Sequence, residues 1–129
     1  MSQYQCYSTI LAAAAHTTDQ TGTTYVVQYD PSVGKNQGWA VGFVVTQTGG
    51  ATSPTTDCAL QHSIDKTNWL DVEVSTQLTA NGTSKEITAI TALGPFIRAI
   101  TKIAGGTPPS ATATVVLMAT CPFNLVAVT

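Results

Sequence analysis

The only two histidines of this 129-residue chain are His16 and His62. His62 stands beside Ser63 and shortly before Asp65, so a base, a nucleophile and a carboxylate lie within one short segment. Nucleophilic catalysis needs those groups in a fixed relay, with the base oriented by a third group. A hairpin offers them backbone amides and solvent instead, and bonding of that kind is the expected use here. Asp57, Cys58 and His62 could be gathered round a metal, but they lack the ligand spacing of a metal site. Gly49-Gly50 and Gly105-Gly106 lack the strand-to-helix setting and the Lys-Ser/Thr of a phosphate loop. The expectation is a protein that is not an enzyme, with no catalytic residue, cofactor or metal.

The elements that would position such groups are strands. Charged residues make up 9% of the chain, against about 25% in ordinary domains. Thr, Val and Ala dominate, and Thr gives a strand a polar face without charge. Such a weakly charged surface is poor at keeping copies apart, which hints at assembly. The net charge of -2 and five scattered cations (Lys35, Lys66, Lys85, Arg98 and Lys102) give no footprint for nucleic acid. The apolar run Ile10 to Ala15 is far shorter than the roughly 20 residues of a membrane span, and no basic segment precedes it. No nucleic-acid or membrane partner is expected, and the protein is expected to stay in the cytoplasm where it is made. Three cysteines, Cys6, Cys58 and Cys121, form no CxxC pair. An odd count argues for reduced thiols, and Cys58 reads as a small core residue. Asn81-Gly82-Thr83, formally a glycosylation acceptor, reads as a turn.

Alternating segments at regular spacing predict about eight strands. They run over Thr24 to Tyr29, Trp39 to Gln47, Asp57 to Ser63, Trp69 to Leu78, Lys85 to Thr91, Phe96 to Ala104, Ala111 to Thr120 and Leu125 to Val128. Trp39 to Gln47 is apolar on both faces, which suits a central strand. Asp65 is expected to hold the turn from Ile64 to Asn68 by accepting backbone amides. Asn81-Gly82 is a hairpin signal, and Pro122 is expected to end a strand. The fold class is all-β: an antiparallel β-sandwich, jelly-roll or Ig-like, over residues 24–129. Residues 1–23 precede it as an N-terminal arm packed on a neighbouring subunit, or as a first strand of the same sheet.

The segment Leu60, Gln61, Ser63, Asp65, Trp69 and Asp71 resembles a recurrent β-hairpin of phage-encoded structural proteins. The later pieces Leu93-Gly94-Pro95-Phe96-Ile97-Arg98-Ala99, Gly105-Gly106-Thr107 and Pro109-Ser110-Ala111-Thr112 fit as well, so the resemblance covers most of the chain. Lys66 departs from it, standing where Gly is usual after the Asp. The matching positions carry structural roles: Asp65 fixes the turn, Trp69 covers an end of the core, Gly94 and Pro95 redirect the chain, and Arg98 seeks a carboxylate or carbonyl. The resemblance is to small β-sandwich virion proteins of tailed bacteriophages, most of all capsid decoration or cement proteins. It implies a homo-oligomer, dimer or trimer, made in the host cytoplasm and bound between major capsid protein subunits on the capsid exterior. Candidate contact residues are Tyr4, Tyr7, Ile10 and Leu11 in the arm, and Asn36, Gln37 and Thr52 in the loops. Two alternatives stay open. One is a tail- or fibre-associated virion protein. The other is a carbohydrate-binding module with Trp39, Tyr25, Tyr29 and Trp69 as a platform and Gln28, Asn36 and Gln37 as polar partners.

Overall fold

A computed structural model describes residues 4–29, 38–49, 53–105 and 109–128. Ten strands and no helix occur among them: β1 (Gln5–Leu11), β2 (Ala15–His16), β3 (Gln20–Thr21), β4 (Tyr25–Tyr29), β5 (Trp39–Thr48), β6 (Thr55–Ser63), β7 (Leu70–Val74), β8 (Gly82–Ile90), β9 (Phe96–Ala104) and β10 (Ser110–Ala127). The spatial order is β7-β6-β9-β4-β10-β5-β8, with β1 and β2 on β10 and β3 on β9. Every pairing is antiparallel.

The long strand β10 ties together the two halves of one ten-stranded sheet. Its first half, Ser110 to Ala119, pairs with β5, and its last residues, Phe123 to Ala127, pair with β4. Pro122 lies between. It ends pairing with one neighbour but not the strand, because a fixed φ near -65° and a missing N–H still permit extended chain. The two strands expected around Pro122 are therefore halves of one. At the far ends the sheet curls back on itself. Glu86 of β8 accepts bonds from the Thr76 amide at 2.7 Å and the Thr76 hydroxyl at 2.8 Å, just past β7. The result is a nearly closed, sandwich-like barrel.

Alternation fills the interior as the period-2 rule requires. Trp39, Val41, Phe43 and Val45 of β5 meet Ala113, Val115 and Leu117 of β10, Cys58 and Leu60 of β6, and Ile97 and Ala99 of β9. Each fully buried aliphatic or aromatic side chain contributes about 1.5–3 kcal/mol.

One open reading is decided and two expectations need correction. Of the arm and the first strand weighed for residues 1–23, residues 5–11 are a strand of the same sheet: β1 pairs with β10 of its own chain. A register shift between Thr9 and Leu11 lets both Ile10 and Leu11 turn toward the core, where Ile10 is 3% exposed and Leu11 half-buried. The strand expected over Trp69 to Leu78 stops at Val74, and a bulge opposite Leu60/Gln61 turns Val74 outward and Glu73 inward. Asn81-Gly82 makes a turn, but not a hairpin, since β7 pairs with β6 and β8 with β5.

Cys58 is packed in the core, 1% exposed, with its sulfur 3.8 Å from the Thr101 hydroxyl. Burial pushes its thiol up to about 11 from an ordinary 9.0. The folded state therefore holds a proton that the unfolded chain releases above pH 9. Stability from this group is complete below pH 9 and lost as pH rises through 11, by about 3 kcal/mol. Urea titrations at pH 8 to 11 should show that fall, flattened in Cys58→Ala. At pH 8 iodoacetamide should label exposed Cys6 and leave Cys58 untouched.

At one end of the barrel, buried Gln47 accepts a hydrogen bond from buried Thr56, while its Nε2 has no partner among the described residues. An orphaned buried donor costs about 1–3 kcal/mol, yet removing both partners of a buried pair can be neutral or stabilising. Thr56→Val should destabilise by that amount, and Gln47→Leu combined with Thr56→Val should restore or exceed wild-type stability. A double variant as unstable as Thr56→Val in urea unfolding would show that the amide is satisfied.

Candidate docking face

The register of β1, β10, β5 and β8 aligns their outward residues in rows across four strands. One row is Tyr7, Met118, Ala40 and Ala89; the next is Thr9, Val116, Gly42 and Ile87. A third is Thr114, Val44 and Lys85, and a fourth is Thr112, Thr46 and Thr83. The first three rows form a continuous apolar field. Tyr7 is 62% exposed, Ile87 73% and Val44 42%. Gly42 makes a shallow hollow of about 320 Å³ in its middle. A Cβ there would stand 3.2 Å from the Met118 methyl carbon. A hydroxyl pair, Thr46 and Thr83 at 3.0 Å, closes one end.

Charge is divided sharply between the two sides of the barrel. Lys85 is the single charged side chain on this outer face among the described residues, since Glu86 points the other way, to Thr76. The opposite half of the sheet carries Asp57 across from Lys102, Arg98 beside Gln61, and Asp71. An apolar face with one charged side chain, on one side of a charged domain, is a candidate interaction surface.

The histidine segment is a built turn. Asp65 Oδ1 accepts the amides of Thr67 at 2.9 Å and Asn68 at 2.8 Å, and Oδ2 accepts the Asn68 side chain at 2.7 Å. The Ser63 hydroxyl donates to Asp65 and accepts the amides of Asp65 and Lys66. The Asn68 and Thr67 amides, then the Asn68 and Ser63 side chains, hold the Asp65 carboxyl well below the usual carboxylate range. His62 Nδ1 accepts the Gly94 amide at 2.8 Å, so it is not aimed at Ser63. A Cβ on Gly94 would come within 3.3 Å of that nitrogen, which is why glycine fits. No relay is assembled. The three candidate metal ligands are likewise dispersed: Cys58 is in the core, Asp57 faces outward and His62 is tied to Gly94.

Asp65, Gly94 and Pro95 hold the structural places expected of them; the Pro95 carbonyl accepts the Val27 amide. Arg98 finds its carbonyl in the Gln61 side chain at 2.8 Å, and Gln61 in turn donates to Asp71. Trp69 does not cover the core. Its ring lies 4.2 Å from the Arg98 guanidinium, outside the cluster, as a cation–π lid.

Of the candidate contact residues, Tyr7 lies on the docking face and Tyr4 is half-buried just before β1. Ile10 is buried in the chain's own core, and Leu11, half-buried, packs against it. Asn36, Gln37 and Thr52 lie outside the described residues. Val44, Ile87, Val116 and Met118 were not anticipated; for Val44 the signal was the apolar second face of Trp39 to Gln47, read as that of a central strand.

No protein-family model matches the chain, and no curated protein is similar enough in sequence to stand as a relative.

Proposed function

We propose that this chain is a virion structural protein of a tailed phage that decorates and cements the capsid exterior. It is made in the host cytoplasm and binds between major capsid protein subunits through the outer face of β1, β10, β5 and β8. The near absence of charge on that face carries the reading. Its size supports a shell as partner. Four strands spaced about 4.8 Å apart, with outward residues over about 20 Å, present roughly 400 Å² in projection. A stable one-to-one complex uses about 800 Å² per partner. A face of this size gives a weak single contact, and many copies on a symmetric shell raise its effect by avidity.

The placement of three of the aromatics favours the decoration reading over the carbohydrate one. Trp39 is 9% exposed and packs edge-to-face on Phe123, Tyr25 packs against the core, and Trp69 lies against Arg98. The test adds purified protein to expanded shells of the cognate major capsid protein that lack it. Binding with a raised shell melting temperature supports the proposal. Binding to tails alone supports the tail-associated alternative, and micromolar glycan binding without shell binding supports the carbohydrate module; either overturns it.

A further inference from the structure

A second exposed apolar feature lies away from the docking face, at the turn between β6 and β7. Ile64 is 82% exposed and Leu70 69%. They border a cleft of about 280 Å³ whose other walls include His62, Ser63 and Gly94. Asp65 and Lys66 are neighbours on the same tip, both exposed. Lys66 holds a φ of 66°, in the left-handed region. A non-glycine residue there costs about 1–2 kcal/mol. Its ammonium stands 5.4 Å from the Phe96 ring centroid, and such an exposed contact returns about 0.5–1 kcal/mol. A long cation is thus kept where glycine would sit without strain, and retained strain points to use.

We propose that this tip is a contact for a second copy of the chain, related by a two-fold axis. Ile64 of each copy enters the other's cleft, and Asp65 faces Lys66 of the partner subunit. Three observations favour a second copy over another partner. An isologous contact requires a projection and its recess on one patch, and both are here. The patch carries one acid and one base side by side, so a two-fold matches each to its opposite. The cleft is open and walled largely by apolar surface, with room for an aliphatic side chain. The bonds of Asp65 and Ser63 already fix the turn, so little ordering is lost on contact.

The proposal is independent of shell binding, and one set of variants separates the two. In a background with Cys6→Ser and Cys121→Ser, Ile64→Cys and Leu70→Cys proteins are mixed and oxidised with glutathione disulfide. A disulfide between positions 64 and 70 of different chains is expected at least tenfold faster than one between 64 and 87 in a mixture with Ile87→Cys. Equal rates overturn the proposal. In the otherwise unchanged chain, Lys66→Gly should hold or raise the melting temperature while weakening self-association in sedimentation equilibrium several-fold. Unchanged self-association also overturns it. Ile64→Asp should abolish self-association while single copies still bind shells. Lost shell binding with intact pairing would count against the function proposed above, not against the tip.

Discussion

Phe123→Ala is expected to lower the unfolding free energy by about 3–5 kcal/mol. Phe123 is 1% exposed and sits where β10 passes from one half of the sheet to the other, in register with Gln5 on one side and Tyr29 on the other. Its ring meets Trp39 edge-on, with centroids 5.1 Å apart and planes at 64°. Such a pair adds about 0.5–1.5 kcal/mol beyond its buried area. A cavity there cannot collapse easily, because the walls belong to strands already fixed by ladders in both halves of the sheet. A domain of this kind has only about 5–15 kcal/mol in total. The urea midpoint, followed by tryptophan fluorescence, should drop steeply with little change in slope. Half-buried Phe96, replaced in the same way, should cost less. A loss under about 1 kcal/mol for Phe123→Ala would mean that the corner is not held by its packing.

That corner also marks what the sequence could and could not convey. Alternation along Trp39 to Gln47 and Ala111 to Thr120 shows which residues share a face, because pleating fixes which side each residue takes, and the structure turns the Trp39 and Ala111 sets inward. The Asp65 turn was legible too: a carboxylate two or three residues before free amides has one economical arrangement. Partners were less legible. Pro122 reads as a break, yet whether it ends a strand or only a pairing depends on which neighbours flank it. Asn81-Gly82 announces a turn and says nothing of which strands it joins. The bulge after Thr9 has no glycine to announce it, so Ile10 and Leu11 looked like an arm although both pack inward.

The docking face was hidden by a related ambiguity. Two apolar faces on one strand describe both a strand covered on both sides and one with a covered side and a waiting side. Only the register showed that Val44 lies beside Thr114 and Lys85, with none of the described residues covering it. Among the described candidate contact residues Tyr7 is the one on this face, and it is there because β1 pairs with β10, not because it belongs to a free arm.

Val44→Glu combined with Ile87→Glu should therefore weaken shell binding about 1,000-fold while leaving the domain folded. Both side chains point outward from a sheet whose inner face carries the core, so exposed carboxylates there cost little in the free protein. Exposed substitutions usually fall within about 0.5 kcal/mol. Against an apolar partner each carboxylate must be stripped of water without a counter-charge, and Lys85 can offset only one of them. The carboxylate left without a counter-charge costs about 4 kcal/mol as an uncompensated buried charge, or roughly three decades in affinity. Avidity magnifies the result, since a weakened contact is weakened at every site of the array. Two charges placed on the opposite half of the sheet, Gln61→Glu and Thr55→Glu, supply the control, because that side already carries charge and is expected to face solvent. The measurement is co-sedimentation with shells across a range of protein concentrations, beside thermal melts of the free protein. Equal binding by the two double variants would remove the face from the contact. Binding lost only in the control would place the shell against the charged half instead.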